Sequence, residues 1–300
     1  MKENLLITGA GPNGVTGNLF KEKLKNKFNV LAPSSKELDL TNDSAVDKFF
    51  NENEIDYVVH CATFRPLHNT TAHFVDDILE SNLRMYFSLA RQSYKYKKMI
   101  YFGSGAEYNK TNAIVNAREE DIGRTIPIEP YGFGKYIMNE HCRHSENIVN
   151  FRLFGTINPL ERCTKNVISN MCAKAIIGTD INLKRDCRFS FIDMADVLLL
   201  VETALQSNII RHDYNITDGR TYLLSEIACI VSSISGKNIS VKFQYEGLNR
   251  EYTGSNLRIL SVVNERFRFS NIEDSIKRVY DYYNQHRQLI DIENLDSRWK

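Results

Sequence analysis

Three side chains in the first half of the chain have the types and spacing for acid–base chemistry. Pro130-Tyr131-Gly132-Phe133-Gly134-Lys135 sets Tyr131 and Lys135 four apart, so on a helix both share one face. Ser104 follows the apolar run Lys98 to Gly103 (KMIYFG), which reads as a strand, and strand ends are where ligands gather in open α/β sheets. A free phenol titrates near ~10, too high for easy proton exchange at neutral pH. A neighbouring ammonium favours the phenolate. Tyr131 is therefore the expected general acid or base, Lys135 its electrostatic tuner, and Ser104 a hydrogen-bond partner of the reacting oxygen.

A second cluster is built of glycines. Gly9-Ala10-Gly11-Pro12-Asn13-Gly14-Val15-Thr16-Gly17 follows a short apolar strand, Asn4 to Thr8, and opens a helix. It reads as G-x-G-x-x-G from Gly9 or G-x-x-G-x-x-G from Gly11. Either reading lets the backbone approach a pyrophosphate whose charge lies against the helix N-terminus. The expected contacts are Gly9, Gly11, Asn13, Gly14 and Val15, with Lys135 also a ribose ligand. After the second strand, Pro33-Ser34-Ser35-Lys36 holds two hydroxyls and a lysine, with no acid before Glu37. Ser34 and Lys36 suit a 2′-phosphate, so NADP(H) is expected ahead of NAD(H). The alternative is that Lys36 is a solvated loop charge and Glu37 serves NAD.

These groups need a frame. Asn29 to Ala32 and Tyr57 to Cys61 read as further strands, Ser44 to Asn51 as a helix capped by Asn42 or Asp43, and His73 to Lys97 as a long helix. Another helix starts at Pro130, and Val149 to Phe154 is a strand. Such alternation predicts an α/β fold, a Rossmann-like doubly wound parallel sheet with a smaller, interwoven C-terminal domain. The expected NADP-binding domain is 1–160 with 190–217, and the substrate domain is 161–189 with 218–300.

Composition bounds the alternatives. The 300 residues carry 38 Lys+Arg against 37 Asp+Glu, 42% hydrophobic and 25% charged. That supports a packed globular core and argues against a nucleic-acid partner, which calls for a basic skew. No apolar run approaches a membrane span, and the N-terminus lacks a signal-peptide profile, so a cytoplasmic protein with reduced cysteines is expected. His141 and His144 share a helix face beside Cys142 but lack further ligands, so no metal site is expected.

The pattern resembles the extended short-chain dehydrogenase/reductases that act on nucleotide sugars, the epimerase/dehydratase family. The resemblance spans nearly the whole chain. Asp39-Leu40 looks like the family's pair beside the adenine, and Cys61, Ala62 and Thr63 like the strand-three turn facing the cofactor. Asn82 matches a helix asparagine that supports the active site. Arg152-Leu153-Phe154-Gly155 resembles the segment that enters the substrate domain, and Phe191 to Val197 the family's F-I-H-V-D-D-V stretch. The resemblance implies a nucleotide-diphosphate sugar as substrate, and a homodimer formed through the helices near 73–97 and 130–146.

Within the family, Ser104-Gly105-Ala106-Glu107-Tyr108 discriminates. The 4,6-dehydratases carry an Asp-Glu pair directly after the catalytic hydroxyl, where Gly105 and Ala106 stand here. Glu107 is offset by one and aligns with an apolar position, so it is not counted. The pattern is most similar to GDP-fucose synthases, whose epimerising Cys and His correspond to Ala106 and Asn166. What remains is NADPH-dependent reduction at C4 of a nucleotide-linked 4-keto-6-deoxy sugar, with Ser104 and Asn166 contacting substrate and Arg188 and Arg250, backed by Lys184, meeting its diphosphate. The alternatives are an NAD-dependent nucleotide-sugar 4-epimerase and a non-catalytic NADP-sensing protein on the same fold.

Overall fold

The computed structural model describes residues 2–64, 73–207, 211–263 and 267–296, with residues 73–76 described by backbone alone. The chain forms two compact units: Met1–Thr111, Glu119–Arg152 and Leu200–Tyr214 make the first, and Asn112–Arg118, Leu153–Leu199 and Asn215–Lys300 the second.

Strands and helices alternate from the start: β1 (Asn4–Thr8), α1 (Val15–Leu24), β2 (Asn29–Leu31), α2 (Asp43–Glu52), β3 (Tyr57–His60), α3 (His73–Ala90) and β4 (Lys98–Ser104). β5 (Ile114–Ala117), α4 (Pro130–His144) and β6 (Ile148–Leu153) follow. The later elements are β7 (Gly155–Ile157), α5 (Val167–Ile177), β8 (Ile181–Leu183), β9 (Arg188–Phe189), β10 (Phe191–Asp193), α6 (Met194–Gln206) and β11 (Asp213–Ile216). The chain ends with β12 (Tyr222–Leu223), α7 (Leu224–Ser235), β13 (Val241–Phe243), β14 (Tyr252–Gly254), α8 (Leu257–Leu260) and α9 (Ile272–Gln285).

The main sheet has the order β11-β6-β4-β3-β1-β2. β1 pairs in parallel with both β2 and β3, and β3 with β4. Apolar side chains on both faces explain this: Leu5, Leu6, Ile7, Val58, Val59, Met99 and Ile100 have no exposed surface. The strand order reverses beside β1, so a crevice opens at the C-terminal ends of β1 and β3.

The long helix expected to reach Lys97 ends at Ala90, and a 3₁₀ turn (Ser93–Lys95) leads into β4. Asn147 Nδ2 donates to the Ser93 and Tyr96 carbonyls (2.9 and 2.8 Å), and buried Tyr96 leaves the helical path to join the core.

In the second unit, β12-β9-β14-β5 form a four-stranded sheet. The core there is made by α5, α7 and α9, through Met171, Cys172, Ile227, Val231 and Ile276. Val279, Tyr280 and Tyr283 are buried with Ile276, which accounts for the apolar stripe of α9. β5 pairs in parallel with β14 although it lies between β4 and α4 in the chain.

His60 at the end of β3 is buried, with its Nδ1 2.8 Å from Thr8 Oγ1. Burial, reinforced by the Lys135 charge, lowers its pKa from 6.5 to about 3. Between those values the unfolded chain binds a proton that the native chain does not, so stability is lost as pH falls from 6.5 toward 3. His60 is expected to cost about 2 kcal/mol between pH 7 and pH 5. Urea unfolding at both values should show that loss in the wild type and a correspondingly flatter response in His60→Gln; equal slopes would refute the assignment.

Candidate active site

The glycine turn is a cradle with no room for side chains. A Cβ on Gly14 would sit 1.8 Å from the Gly9 carbonyl oxygen, and one on Gly17 2.4 Å from it. Gly9 has φ +72°, and its Cβ would lie 2.7 Å from the Ala62 nitrogen. This packing pulls the start of α1 against the ends of β1 and β3. Asn18 Nδ2 donates to the Gly11 and Gly14 carbonyls (2.9 and 2.6 Å) and fixes the turn. α1 begins at Val15 with no side-chain cap at Gly14 and no acid in its first turn. Backbone N–H groups so arranged fit a diphosphate, and the cradle as a whole fits a dinucleotide.

The expected neighbours of that cradle fall around it. A Cβ on Gly11 would be 3.8 Å from Ser34 Cβ, so the loop after β2 borders the turn. There Glu37 Oε2 accepts from the Ser34 N–H and hydroxyl (2.7 and 2.8 Å), and these bonds lower its pKa. Ser34 is thus already donating to a carboxylate, and Lys36 is exposed. Asp39 is exposed and accepts from Thr41, whereas Leu40 is buried and its carbonyl accepts from Ser88. The Ala62 N–H donates to Thr8 Oγ1 (3.1 Å), and burial pushes the Cys61 thiol up. Asn82 on α3 accepts from Thr63 Oγ1 and from the Phe64 N–H (3.1 and 2.9 Å), holding the turn after β3.

Ser104 lies at the end of β4, and Tyr131 and Lys135 lie on α4. Ser104 is buried, with Oγ accepting from the Ala106 N–H (3.2 Å). Glu129 caps α4 by accepting from the Tyr131 and Gly132 N–H groups (3.1 and 2.7 Å). A Cβ on Gly132 would lie 2.8 Å from the Ala106 carbonyl oxygen, so α4 presses on the turn after Ser104. Lys135 is buried one turn further along. Its Nζ donates to the Phe102 carbonyl (2.8 Å), 4.5 Å from the Tyr101 ring centre and 5.8 Å from that of Tyr131. The ammonium is therefore shared between β4 and the phenol it is expected to tune.

Sequence reasoning missed the layer beneath. Glu107 is fully buried in the 3₁₀ turn Gly105–Tyr108. Its carboxylate accepts from Arg152 Nε (2.6 Å), Asn150 Nδ2 (3.1 Å) and the Ser104 N–H (2.9 Å). Arg152 also donates to Asn139, Asp213 and Tyr108. Burial pushes Glu107 up against the pull of Arg152, whose guanidinium is held protonated by the carboxylates. The only signal in the sequence is an acid at a position that is apolar in the pattern it resembles.

The expected substrate residues Asn166, Arg188 and Arg250 belong to the second unit. Asn166 caps α5: Oδ1 accepts from Ile168 and Ser169 (3.0 and 3.2 Å), and Nδ2 donates to the Thr156 carbonyl (2.9 Å). Those bonds account for an asparagine there without a ligand. Arg188 on β9 and Arg250 are exposed, as is Lys184, and Cys187 Sγ lies 2.9 Å from the Arg250 carbonyl oxygen. Around α4, Tyr86 Oη meets His141 Nδ1 (2.9 Å) and Cys142 Sγ (3.1 Å), and burial pushes that thiol up to about 12. Among the described residues no cluster could hold a metal ion, and no helix is long and apolar enough to cross a membrane.

A mostly parallel sheet with a glycine cradle at its switch point, Ser104 at the end of a strand two places from β1, and Tyr131 and Lys135 on the helix against the turn after it, defines a Rossmann-type dinucleotide-binding protein. The chain belongs to the NAD dependent epimerase/dehydratase family, whose profile matches residues 5–217. An Arabidopsis thaliana protein named a probable UDP-arabinose 4-epimerase is 25% identical over 281 residues, covering 83% of this chain and 67% of that protein. A second relative from the same plant is covered over 63% of its length. The chain thus spans about two thirds of the curated relatives it matches.

Among solved structures, an NADP-bound GDP-L-fucose synthetase from Naegleria fowleri aligns with a TM-score of 0.82 at 17% identity, over 96% of this chain and 94% of that one. A GDP-mannoheptose C4 reductase from Campylobacter jejuni with NADP bound gives 0.77 at 22%, over 94% and 98%. A UDP-glucose 4-epimerase from Thermotoga maritima gives 0.77 at 18%, over 95% and 99%. The shared fold is that of the extended short-chain dehydrogenase/reductases.

The cradle makes a direct prediction. Gly14→Ala should weaken NADPH and NADH binding at least about tenfold in titration calorimetry, a loss of about 1.4 kcal/mol or more. Unchanged affinity for both would place the dinucleotide elsewhere.

Proposed function

We propose that the chain is an NADPH-dependent reductase acting at C4 of a nucleotide-linked 4-keto-6-deoxy sugar. The carrying observation is the turn after Ser104. Gly105 and Ala106 offer no proton carrier there, and the nearby Glu107 carboxylate is wholly buried against Arg152. With no proton carrier for carbon in that turn, this reading assigns reduction with proton transfer at oxygen. Bound NADPH supplies the hydride for the carbonyl carbon. Tyr131 gives its proton to the C4 oxygen, Ser104 donates a hydrogen bond to that oxygen, and Lys135 offsets the charge left on the phenol.

The first unit serves as the cofactor domain in this reading, with Asn13 and Val15 at the diphosphate and Ser34 and Lys36 at the 2′-phosphate. Asp39 and Leu40 lie beside the adenine, and Cys61, Ala62 and Thr63 face the cofactor. The second unit takes the nucleotide sugar, with Arg188 and Arg250 toward its diphosphate. Two copies pair through α3 and α4. All six cysteines are free thiols, which fits a reducing, cytoplasmic setting.

One observation favours a second reading, an NAD-dependent 4-epimerase. Glu37 occupies the Ser34 hydroxyl beside the cradle, where an acid suits ribose hydroxyls better than a phosphate. The two readings differ in net redox change. GDP-, dTDP-, CDP- and UDP-linked 4-keto-6-deoxy sugars should include one that consumes NADPH stoichiometrically. Interconversion of C4 epimers without cofactor consumption would establish the epimerase, and tight cofactor binding with silence across the panel would favour a sensor. Tyr131→Phe should keep NADPH affinity within about twofold and lose about 10²-fold or more in kcat; undiminished turnover would remove Tyr131 from the chemistry.

A further inference from the structure

Glu107 is a fully buried acid of the first unit and has no part in the chemistry above. Its side chain has no exposed surface, and neither has that of Arg152. All the hydrogen bonds described for its two oxygens come from donors. Oε1 accepts from the Ser104 N–H (2.9 Å) and Asn150 Nδ2 (3.3 Å), and Oε2 from Arg152 Nε (2.6 Å) and Asn150 Nδ2 (3.1 Å). A Cβ on Gly103 would sit 2.2 Å from both Glu107 Oε1 and Asn150 Oδ1, so β4 can approach the carboxylate only because that residue is glycine.

The consequence falls on one hydroxyl. Ser104 Oγ accepts from the Ala106 N–H while the Ser104 N–H donates to Glu107, a reciprocal box that closes the turn. A hydroxyl offers one donor and two acceptor sites. With one acceptor site held by Ala106, the Ser104 proton is available to a group outside the turn. Arg152 and Asn150, both on β6, fix the carboxylate, and the carboxylate fixes the turn.

We propose that Glu107 is a positioning residue: anchored by Arg152 and Asn150, it holds the Ser104 turn so that the Ser104 hydroxyl donates to the reacting oxygen. This rests on the reductase reading for its catalytic consequence, but its structural half stands apart from it. Because every partner of the carboxylate is a donor, Glu107→Gln must turn an NH2 group toward one of them.

The test is a double-mutant cycle of Glu107→Gln with Ser104→Ala, read with the panel sugar that the wild type reduces. Glu107→Gln is expected to lower kcat about tenfold or more with sugar KM changed less than about twofold, and to cost less than about twofold in the Ser104→Ala background. Equal costs in both backgrounds would overturn the proposal. Hydrogen exchange at the Ser104 amide, read without substrate, should accelerate at least about tenfold in Glu107→Gln while the amides of β1 and β3 keep their protection. A Ser104 amide as protected as in the wild type would overturn it too. If Glu107→Gln does not fold, Asn150→Leu keeps the Glu107–Arg152 pair and is put through the same cycle and exchange measurement. A wild type that reduces no sugar removes the reductase reading, and the exchange result then decides the role of Glu107 by itself.

Discussion

A guanidinium with no solvent exposure has to be neutralised where it stands, and Arg152 meets that requirement by recruiting three parts of the first unit. It reaches the turn after β4 through Glu107 and Tyr108, α4 through Asn139, and β11 through Asp213. A buried charge of this kind costs several kcal/mol if a partner is lost, so the elements it joins keep their spacing as a set. Two of those elements carry the candidate chemistry: Ser104 precedes the turn, and Tyr131 and Lys135 lie on α4. The ion pair adds little solubility and no obvious binding surface. What it supplies is a fixed separation between the strand end that carries Ser104 and the helix that carries Tyr131 and Lys135.

Sterics do at the cradle what charge does under Ser104. Gly9, Gly14 and Gly17 let three backbone segments meet at distances that any side chain would forbid. The result is a helix N-terminus aimed at the crevice between β1 and β3. Lys135 joins the two arrangements, since its ammonium is tied to the β4 backbone, lies near the Tyr131 ring and adds to the field that keeps His60 neutral. A cofactor in the cradle and a carbonyl near Ser104 would therefore meet between two rigid supports.

Local patterns made much of this readable beforehand. Apolar runs of strand length mark β1, β3 and β4 directly, and the glycine turn and the Tyr131–Lys135 spacing are local signals as well. Much of what could not be read is non-local. Glu107 and Arg152 are 45 residues apart, and nothing near Glu107 indicates a guanidinium waiting on β6. β5 leaves the first unit to pair with β14, a partner more than a hundred residues later in the chain. Asn166 stands at a position matched by pattern to a proton carrier, yet its amide is occupied in capping α5. Glu37, read in the alternative as the acid that serves NAD, accepts from the N–H and hydroxyl of Ser34 three residues earlier.

In the proposed reaction protons move at oxygen and not at carbon. Reduction of the panel sugar by NADPH in deuterium oxide, followed by mass spectrometry and proton NMR of the product, tests this directly. The expected product is a C4 alcohol with no deuterium at C3 or C5 beyond that of an enzyme-free control. Enzyme-dependent deuterium at either carbon would contradict it and would require a proton carrier that Gly105, Ala106 and the buried Glu107 do not provide.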